Sequence, residues 1–251
     1  DSIERAIELN GKGVENNIQA FRWGRLAVED PAALERALGR QERGPEEIIE
    51  VNRGHLQNHP GRLQLHEEAL GEIQLDPEWC RKLSVRLCDL CEYQNLGYAR
   101  AYLDIVSRVW QREQDFPDRG FQLTRAVIFN LYKLMAYKDE YEVARLATRA
   151  AYTKDLNQLF DGPSKVFYRF NPPNMRWLGL GKLKIGPWGR PFLKLLVRLR
   201  WLRGTRFDPF AFTSCRRLEK ALINWYLNLV EEVVEGLTEE NYALAVKILE
   251  S

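Results

Sequence analysis

Phe121-Gln-Leu-Thr-Arg-Ala-Val-Ile-Phe-Asn-Leu-Tyr-Lys-Leu-Met-Ala-Tyr137, followed by Lys138-Asp-Glu-Tyr-Glu-Val-Ala-Arg-Leu146, decides the fold class. Leu123, Val127, Leu131, Leu134 and Met135 recur at the three- and four-residue intervals that put side chains on one face of an α-helix; a strand would alternate them. Asp139 and Glu142 form a capping-box pair, so the spacing predicts a new helix that starts just after Lys138 and runs toward Phe160. Working outward, the same periodicity covers most of the chain. Ser2 to Arg22 reads as a first helix with Ile3, Ile7, Val14, Ile18 and Phe21 near one stripe, weakened in the middle by Gly11 and Gly13. Asp30-Pro31 and Asp76-Pro77 each put a side-chain acceptor before a proline at the first helical position.

Glu46 to Leu75 is helical in pattern but turns a corner at His59-Pro60-Gly61. A long amphipathic run then covers Glu78 to about Arg112. On the C-terminal side, helices are predicted over Trp188 to Arg203, Thr213 to Glu235, and from Thr238 to Leu249. Gly162 to Pro187 breaks the pattern: Val166 to Phe170 and Lys182 to Ile185 flank a proline-containing loop, as in a small hairpin. The expected fold class is therefore mainly α, a multi-helix orthogonal or bundle-like domain with one small β-hairpin around residues 166–185.

The 251 residues are 45% hydrophobic, enough for a packed core, and the 29% charged residues sum to only +2, which excludes disorder and a wholesale nucleic-acid binder. No apolar run is long enough to span a membrane, and the N-terminus lacks a signal-peptide layout, so a cytoplasmic location is expected. Cys80, Cys88, Cys91 and Cys215 are too few for a disulfide framework. The chain opens on Asp1 within a helical pattern, which is expected of a piece excised from a longer polypeptide.

Charge is uneven. From Gly162 to Phe207 there are eleven Lys and Arg and no Asp or Glu, so the remainder of the chain carries −9. A cationic segment in an acidic chain calls for an anionic neighbour, either the chain's own acidic helices or a partner. On the helix from Trp188, the residues Trp188, Phe192, Leu195, Leu196, Leu199 and Leu202 are predicted to face the core. Arg190, Lys194 and Arg198 lie opposite, and with Arg200 and Arg203 they are candidates for docking an acidic partner.

Other chemistry is sparse. Cys88-x-x-Cys91 places two thiols on one side of a helix, but ordinary core packing explains it, and a cubane cluster needs four thiolates. His55 and His59 stand at i, i+4 with His66 beyond, a spacing that can share zinc, yet Pro60-Gly61 breaks the helix that would hold them. No Gly-Asp-Gly marks a thiamine diphosphate and magnesium site. Gly179-x-Gly181 precedes a strand-like segment where a phosphate loop needs a helix, and no nucleophile elbow is present.

Three stretches resemble the fused indolepyruvate ferredoxin oxidoreductases: Ala6 to Gly11 through Ala20 to Arg25, Asn130 to Leu146, and Leu202 to Phe210 with Arg216-Arg217-Leu-Glu219. Tyr93-Gln-Asn and Tyr98-Ala extend the likeness. It implies that residues 1–25 close a preceding γ-type domain and that 26–251 form the family's C-terminal helical domain, with the hairpin and basic segment at 162–207. It implies a parent that oxidatively decarboxylates arylpyruvates to the acyl-CoA, with thiamine diphosphate, magnesium and iron–sulfur clusters held by regions outside this chain and ferredoxin as electron acceptor. The sequence departs from the family between about Gly44 and Glu78, where it is longer and holds all three histidines. No catalytic residue is carried over.

In the most specific stretch, Tyr132, Lys133, Tyr137, Lys138, Asp139, Glu140 and Arg145 crowd polar groups around a helix–helix corner. Buried polar groups must pair, so these residues are expected to fix two helices; the competing expectation is a wall of the substrate or CoA channel. Beside the scaffold reading stand two others. One is a stand-alone module that holds an acidic protein, nucleic acid or membrane surface through 162–207, and the other is a zinc hydrolase built on the histidines.

Overall fold

The computed structural model describes residues 2–38, 43–149, 167–170, 183–211 and 213–250. They are mainly α-helical, as the periodicity predicts, and the chain divides into two compact units, Asp1–Glu47 and Ile48–Ser251.

In the first unit α1 spans Ser2–Asn10, α2 Val14–Glu29 and α3 Pro31–Leu38. The single helix expected from Ser2 to Arg22 is broken, because Gly11 and Gly13 take φ of 67° and 58°. Left-handed backbone costs glycine nothing and ends a right-handed helix. Arg22 then reaches back to Glu4 with bonds of 2.8 and 3.1 Å, which ties α2 to α1. Asp30 caps α3 by accepting from the Ala33 N–H at 2.9 Å.

The second unit takes in most of α4 (Pro45–Leu56) and then α5 (Pro60–Glu72), α6 (Pro77–Tyr93), α7 (Leu96–Glu113), α8 (Gln122–Met135) and α9 (Glu140–Thr148). A two-stranded antiparallel hairpin follows, β1 (Tyr168–Phe170) with β2 (Leu183–Ile185), in the register Tyr168 to Ile185. Then come α10 (Arg190–Arg198), a 3-10 turn over Leu199–Leu202, α11 (Ser214–Glu235) and α12 (Tyr242–Glu250). The run from Glu78 to Arg112 is two helices. Asn95 takes an extended conformation and accepts from the Tyr98 N–H at 2.9 Å, so a side-chain cap restarts the helix at Leu96. Likewise α9 ends at Thr148, where Arg149 turns to ψ 138°; the expected continuation toward Phe160 lies outside the described residues.

The main core gathers the apolar faces of α5 to α8, α11 and α12. Leu65, Leu87, Tyr102, Leu103, Leu131 and Leu249 are all buried there. One carboxylate organises its edge. Glu113, at the end of α7 and fully buried, accepts the Leu123 and Thr124 N–H groups at 2.9 and 2.8 Å, the Thr124 hydroxyl at 2.6 Å, and the Tyr242 hydroxyl. It therefore supplies from a neighbouring helix the acceptors that the first turn of α8 lacks.

A second, smaller core joins Tyr141 and Ala144 of α9 to Leu193 and Leu196 of α10. This corrects the predicted facing of α10. Leu196 points inward as expected, but with it goes Leu193 from outside the predicted stripe, whereas Trp188, Phe192 and Leu195, expected inside, are 78%, 49% and 51% exposed. Both stripes are apolar, and only the position of α9 decides between them.

Candidate functional site

The polar groups of Asn130–Leu146 build a corner of ion pairs between the two cores. Asp139 begins it as the cap of α9, accepting the Glu142 N–H at 2.6 Å. Its carboxylate is closed from solvent and also receives Arg203 through two bonds, at 2.6 and 2.8 Å. Arg203 lies 3.7 Å above the Tyr93 ring and donates to the Tyr93 carbonyl, so one guanidinium holds α6, α9 and the turn after α10. Glu140 pairs with Arg216 of α11 at 2.5 Å, and Arg216 also bonds Glu219 at 2.8 Å and sits over the Tyr137 ring.

Arg145, on the next turn of α9, binds Glu142 at 2.7 Å, Asp89 at 2.7 Å and Glu92 at 2.5 Å. Burial works to lower its pKa, but the hydrogen bond it donates to Glu142 and the Asp89 charge outweigh that and raise it. Burial is likewise overcome at Arg203 by the bond to Asp139, and at Arg216 by Asp139 and Glu140. All three guanidiniums stay charged, each balanced by carboxylates in contact. Tyr132 joins by donating to Asp89 at 2.8 Å, and the Tyr137 carbonyl accepts the Tyr93 hydroxyl at 3.1 Å.

Five of the seven residues expected at this corner therefore meet there. The other two do not. Lys133 is exposed, with its ammonium 5.2 Å from the Phe129 ring, and Lys138 is exposed on the rim of a cleft. Asp89 and Glu92 complete the corner but carry no functional signal in sequence, since each is one charged residue among many on an amphipathic helix, while Arg216 joins it from the stretch Arg216-Arg217-Leu-Glu219. Arg203 was expected on an outer docking face. It is 5% exposed and its charge is balanced by Asp139, so it cannot meet a partner.

Beside the corner a cleft of about 930 Å³ runs along α4, α6 and α9. His55, His59, Arg62, Lys138 and Arg149 line it opposite Asp89, Glu92 and Glu142. Those carboxylates are already engaged by Arg145 and Arg149. Among the described residues, Arg62 and Lys138 have no carboxylate in ion-pair contact, so the free charge facing the cleft is positive.

A family model matches residues 81–251, about two thirds of the chain and all of the ion-pair corner. The chain belongs to a family of unknown function, DUF6537. No curated protein and no solved structure matches it. The DUF6537 region includes Cys88 and Cys91, whose fit to a cluster can be judged from their surroundings. Burial pushes the Cys88 thiol up to about 12 and raises Cys91 as well, while thiolate ligands need the opposite. Cys80 is turned to the Leu75 carbonyl at 3.3 Å and Cys215 lies exposed on α11, so the four do not converge.

The histidines lie N-terminal to the DUF6537 region and do not converge either. His66 is 2% exposed and its Nε2 meets the Ser84 hydroxyl at 2.7 Å, while His55 and His59 line the cleft. Among the described residues no group of three His, Cys, Asp or Glu is placed to hold a metal, so these side chains do not fit the zinc site that the spacing raised. No described helix is long and apolar enough to cross a membrane. Within the DUF6537 region, Lys194 and Arg198 do project to solvent from α10, beside exposed Phe192 and Leu195. Arg200 is half-buried and donates to the Glu92 carbonyl, and Arg190, at the first turn of α10, is partly buried.

Proposed function

We propose that this chain is a non-catalytic helical scaffold of a ferredoxin-dependent 2-oxoacid oxidoreductase of the indolepyruvate type. In that reading the parent oxidatively decarboxylates arylpyruvates to the acyl-CoA in the cytoplasm. Thiamine diphosphate, magnesium and the iron–sulfur clusters belong to its thiamine and γ-type domains, which pack against this chain. The observation that carries the scaffold role is the corner at Asn130–Leu146. The stretch most specific to the resemblance has its buried charges bound to one another, which suits a part that fixes helices.

Lys194 and Arg198 provide the surface at which acidic ferredoxin docks, since both are exposed on one face of α10. The whole polypeptide, purified, is expected to reduce ferredoxin with indolepyruvate and coenzyme A, while this chain alone does not. Lys194→Glu with Arg198→Glu is expected to slow ferredoxin reduction, most at low salt, and to leave reduction of a small artificial acceptor unchanged. No arylpyruvate oxidation by the whole polypeptide would overturn the enzyme assignment, and an unchanged ferredoxin rate would overturn the docking surface. The exposed Trp188, Phe192 and Leu195 beside that basic face favour one second reading, a stand-alone module that lies on an anionic membrane surface. Sedimentation of the chain with anionic vesicles at low salt would favour it.

A further inference from the structure

A pocket of about 530 Å³ opens where the starts of α5 and α7 meet the turn that follows α10. It adjoins the cleft beside the ion-pair corner and shares His59 and Arg62 with it. Three guanidiniums line it, Arg62 from α5 and Arg198 and Arg200 from the end of α10, and no carboxylate does. That is unlike every other arginine grouping described above, where acids balance the charge.

The cations are not internally satisfied. Among the described residues neither Arg62 nor Arg198 has a carboxylate in ion-pair contact, and Arg200 meets only the Glu92 carbonyl. Burial lowers the Arg200 pKa, and crowding by Arg62, Arg145 and Arg203 lowers it further. Like charges gathered without a counter-charge repel, and an anion that enters relieves that cost. Gly61 and Leu96, in the first turns of α5 and α7, border the same space, so the positive ends of two helices lie beside it. A guanidinium presents a planar fork of donors that matches phosphate oxygens in pairs. Trp201, 65% exposed, forms one wall and offers an aromatic face next to the charges.

We propose that this pocket binds an organic phosphate, its phosphoryl oxygens held by Arg62, Arg198 and Arg200 and a planar group laid on the Trp201 ring. The volume suits a ligand of nucleotide size. Phosphate without the planar part would use the guanidiniums alone, so pyrophosphate and ADP separate the two contributions.

The test is calorimetric titration of the chain at low salt with pyrophosphate and with ADP. Both should bind, with ADP about tenfold the tighter, a margin within the range of one base–aromatic stack. Arg62→Met and Arg198→Met should each weaken both ligands about tenfold or more, as loss of a charge-assisted contact does. Trp201→Ala should erase only the ADP advantage. Lys194→Met removes a cation from α10 that does not line the pocket, and it should change either affinity by less than about twofold. Among the described residues Arg62 and Arg198 pair with no carboxylate, so these variants break no ion pair there, and Arg198 is exposed.

Absence of binding to the unaltered chain, or an equal loss in Lys194→Met, would overturn the site. ADP binding no tighter than pyrophosphate would overturn the role of Trp201. Lys194 belongs to the docking face and does not line the pocket, so Lys194→Glu should slow ferredoxin reduction while leaving the affinity for pyrophosphate within about twofold. The failure of this site and the failure of the docking surface are thereby read separately.

Discussion

At the scale of single residues, His66 is a charge the fold refuses. It is buried on α5 with Nε2 in a 2.7 Å hydrogen bond with the Ser84 hydroxyl, which also accepts from Asn52 at 2.9 Å. Nδ1 has no partner. Burial lowers the His66 pKa, and the nearby Arg53 adds to this against the smaller opposing pull of Glu67 and Glu50. The unfolded imidazole takes its proton near pH 6.5, its ordinary value. As the medium is acidified through that value the unfolded chain binds a proton that the folded chain resists. Stability is thus full above about pH 7.5 and falls with acid below it. The melting temperature should therefore drop between pH 7 and 5.5, before most carboxylates titrate, and His66→Gln should flatten that slope. An unchanged slope in the variant would mean that another group carries the dependence.

The residues that sequence reading placed best are those whose partner is local. Asp76, Asp139 and Thr213 each accept from an N–H three residues on, at 3.3, 2.6 and 3.2 Å, and each is recognisable from its neighbours alone. Arg203 was misplaced because its partner Asp139 is 64 positions away. A basic residue in a basic segment looks solvated until the fold brings a carboxylate to it. Arg62 carries no signal for the same reason, and Arg200 reads in sequence only as a docking residue, since the two become a cluster only when α5 meets the end of α10.

At the scale of elements, helix facing is legible where one apolar stripe exists and is not where two compete. The spacing in α8 identified Leu123, Val127, Leu131 and Met135, all buried, because a single apolar stripe leaves one choice. On α10 two stripes compete, and the contact with α9 selects Leu193 and Leu196 over Phe192 and Leu195. The break between α6 and α7 was hidden because apolar spacing continues across Gln94-Asn95, and Asn95 acts as a cap only through its own backbone angle.

The α7–α8 junction depends on Glu113, a long-range helix cap with no sequence signature. Glu113→Leu would strand the Leu123 and Thr124 N–H groups and the Tyr242 hydroxyl in an apolar setting. Its cost should be about 2–5 kcal/mol, above that of a typical surface cap at ~1 kcal/mol, read as a shift in the urea midpoint. A loss under about 1 kcal/mol would show that water or relaxation replaces the carboxylate. The same substitution should leave the pyrophosphate pocket intact, because neither helix start that borders it is involved.

At the scale of the whole molecule, the second unit holds two apolar cores separated by a layer of arginine–carboxylate pairs, with surplus positive charge facing the cleft and pocket next to that layer. The scaffold reading makes the layer structural, and the competing reading makes it a channel wall. Replacing Lys133 and Lys138 cannot decide between them, since both are exposed and neither joins the layer. Asp139→Asn can. It leaves Arg203 buried without the one carboxylate it pairs with among the described residues, while Asn can still cap α9.

The decisive measurement pairs the urea midpoint of Asp139→Asn in this chain with the steady-state kinetics of the same substitution in the whole polypeptide. The scaffold role requires a stability loss of about 3–5 kcal/mol, with kcat and KM for arylpyruvate and coenzyme A unchanged per folded enzyme at a temperature where the variant remains folded. A stable variant whose KM rises or whose kcat falls tenfold or so would place Asp139 against substrate and contradict it.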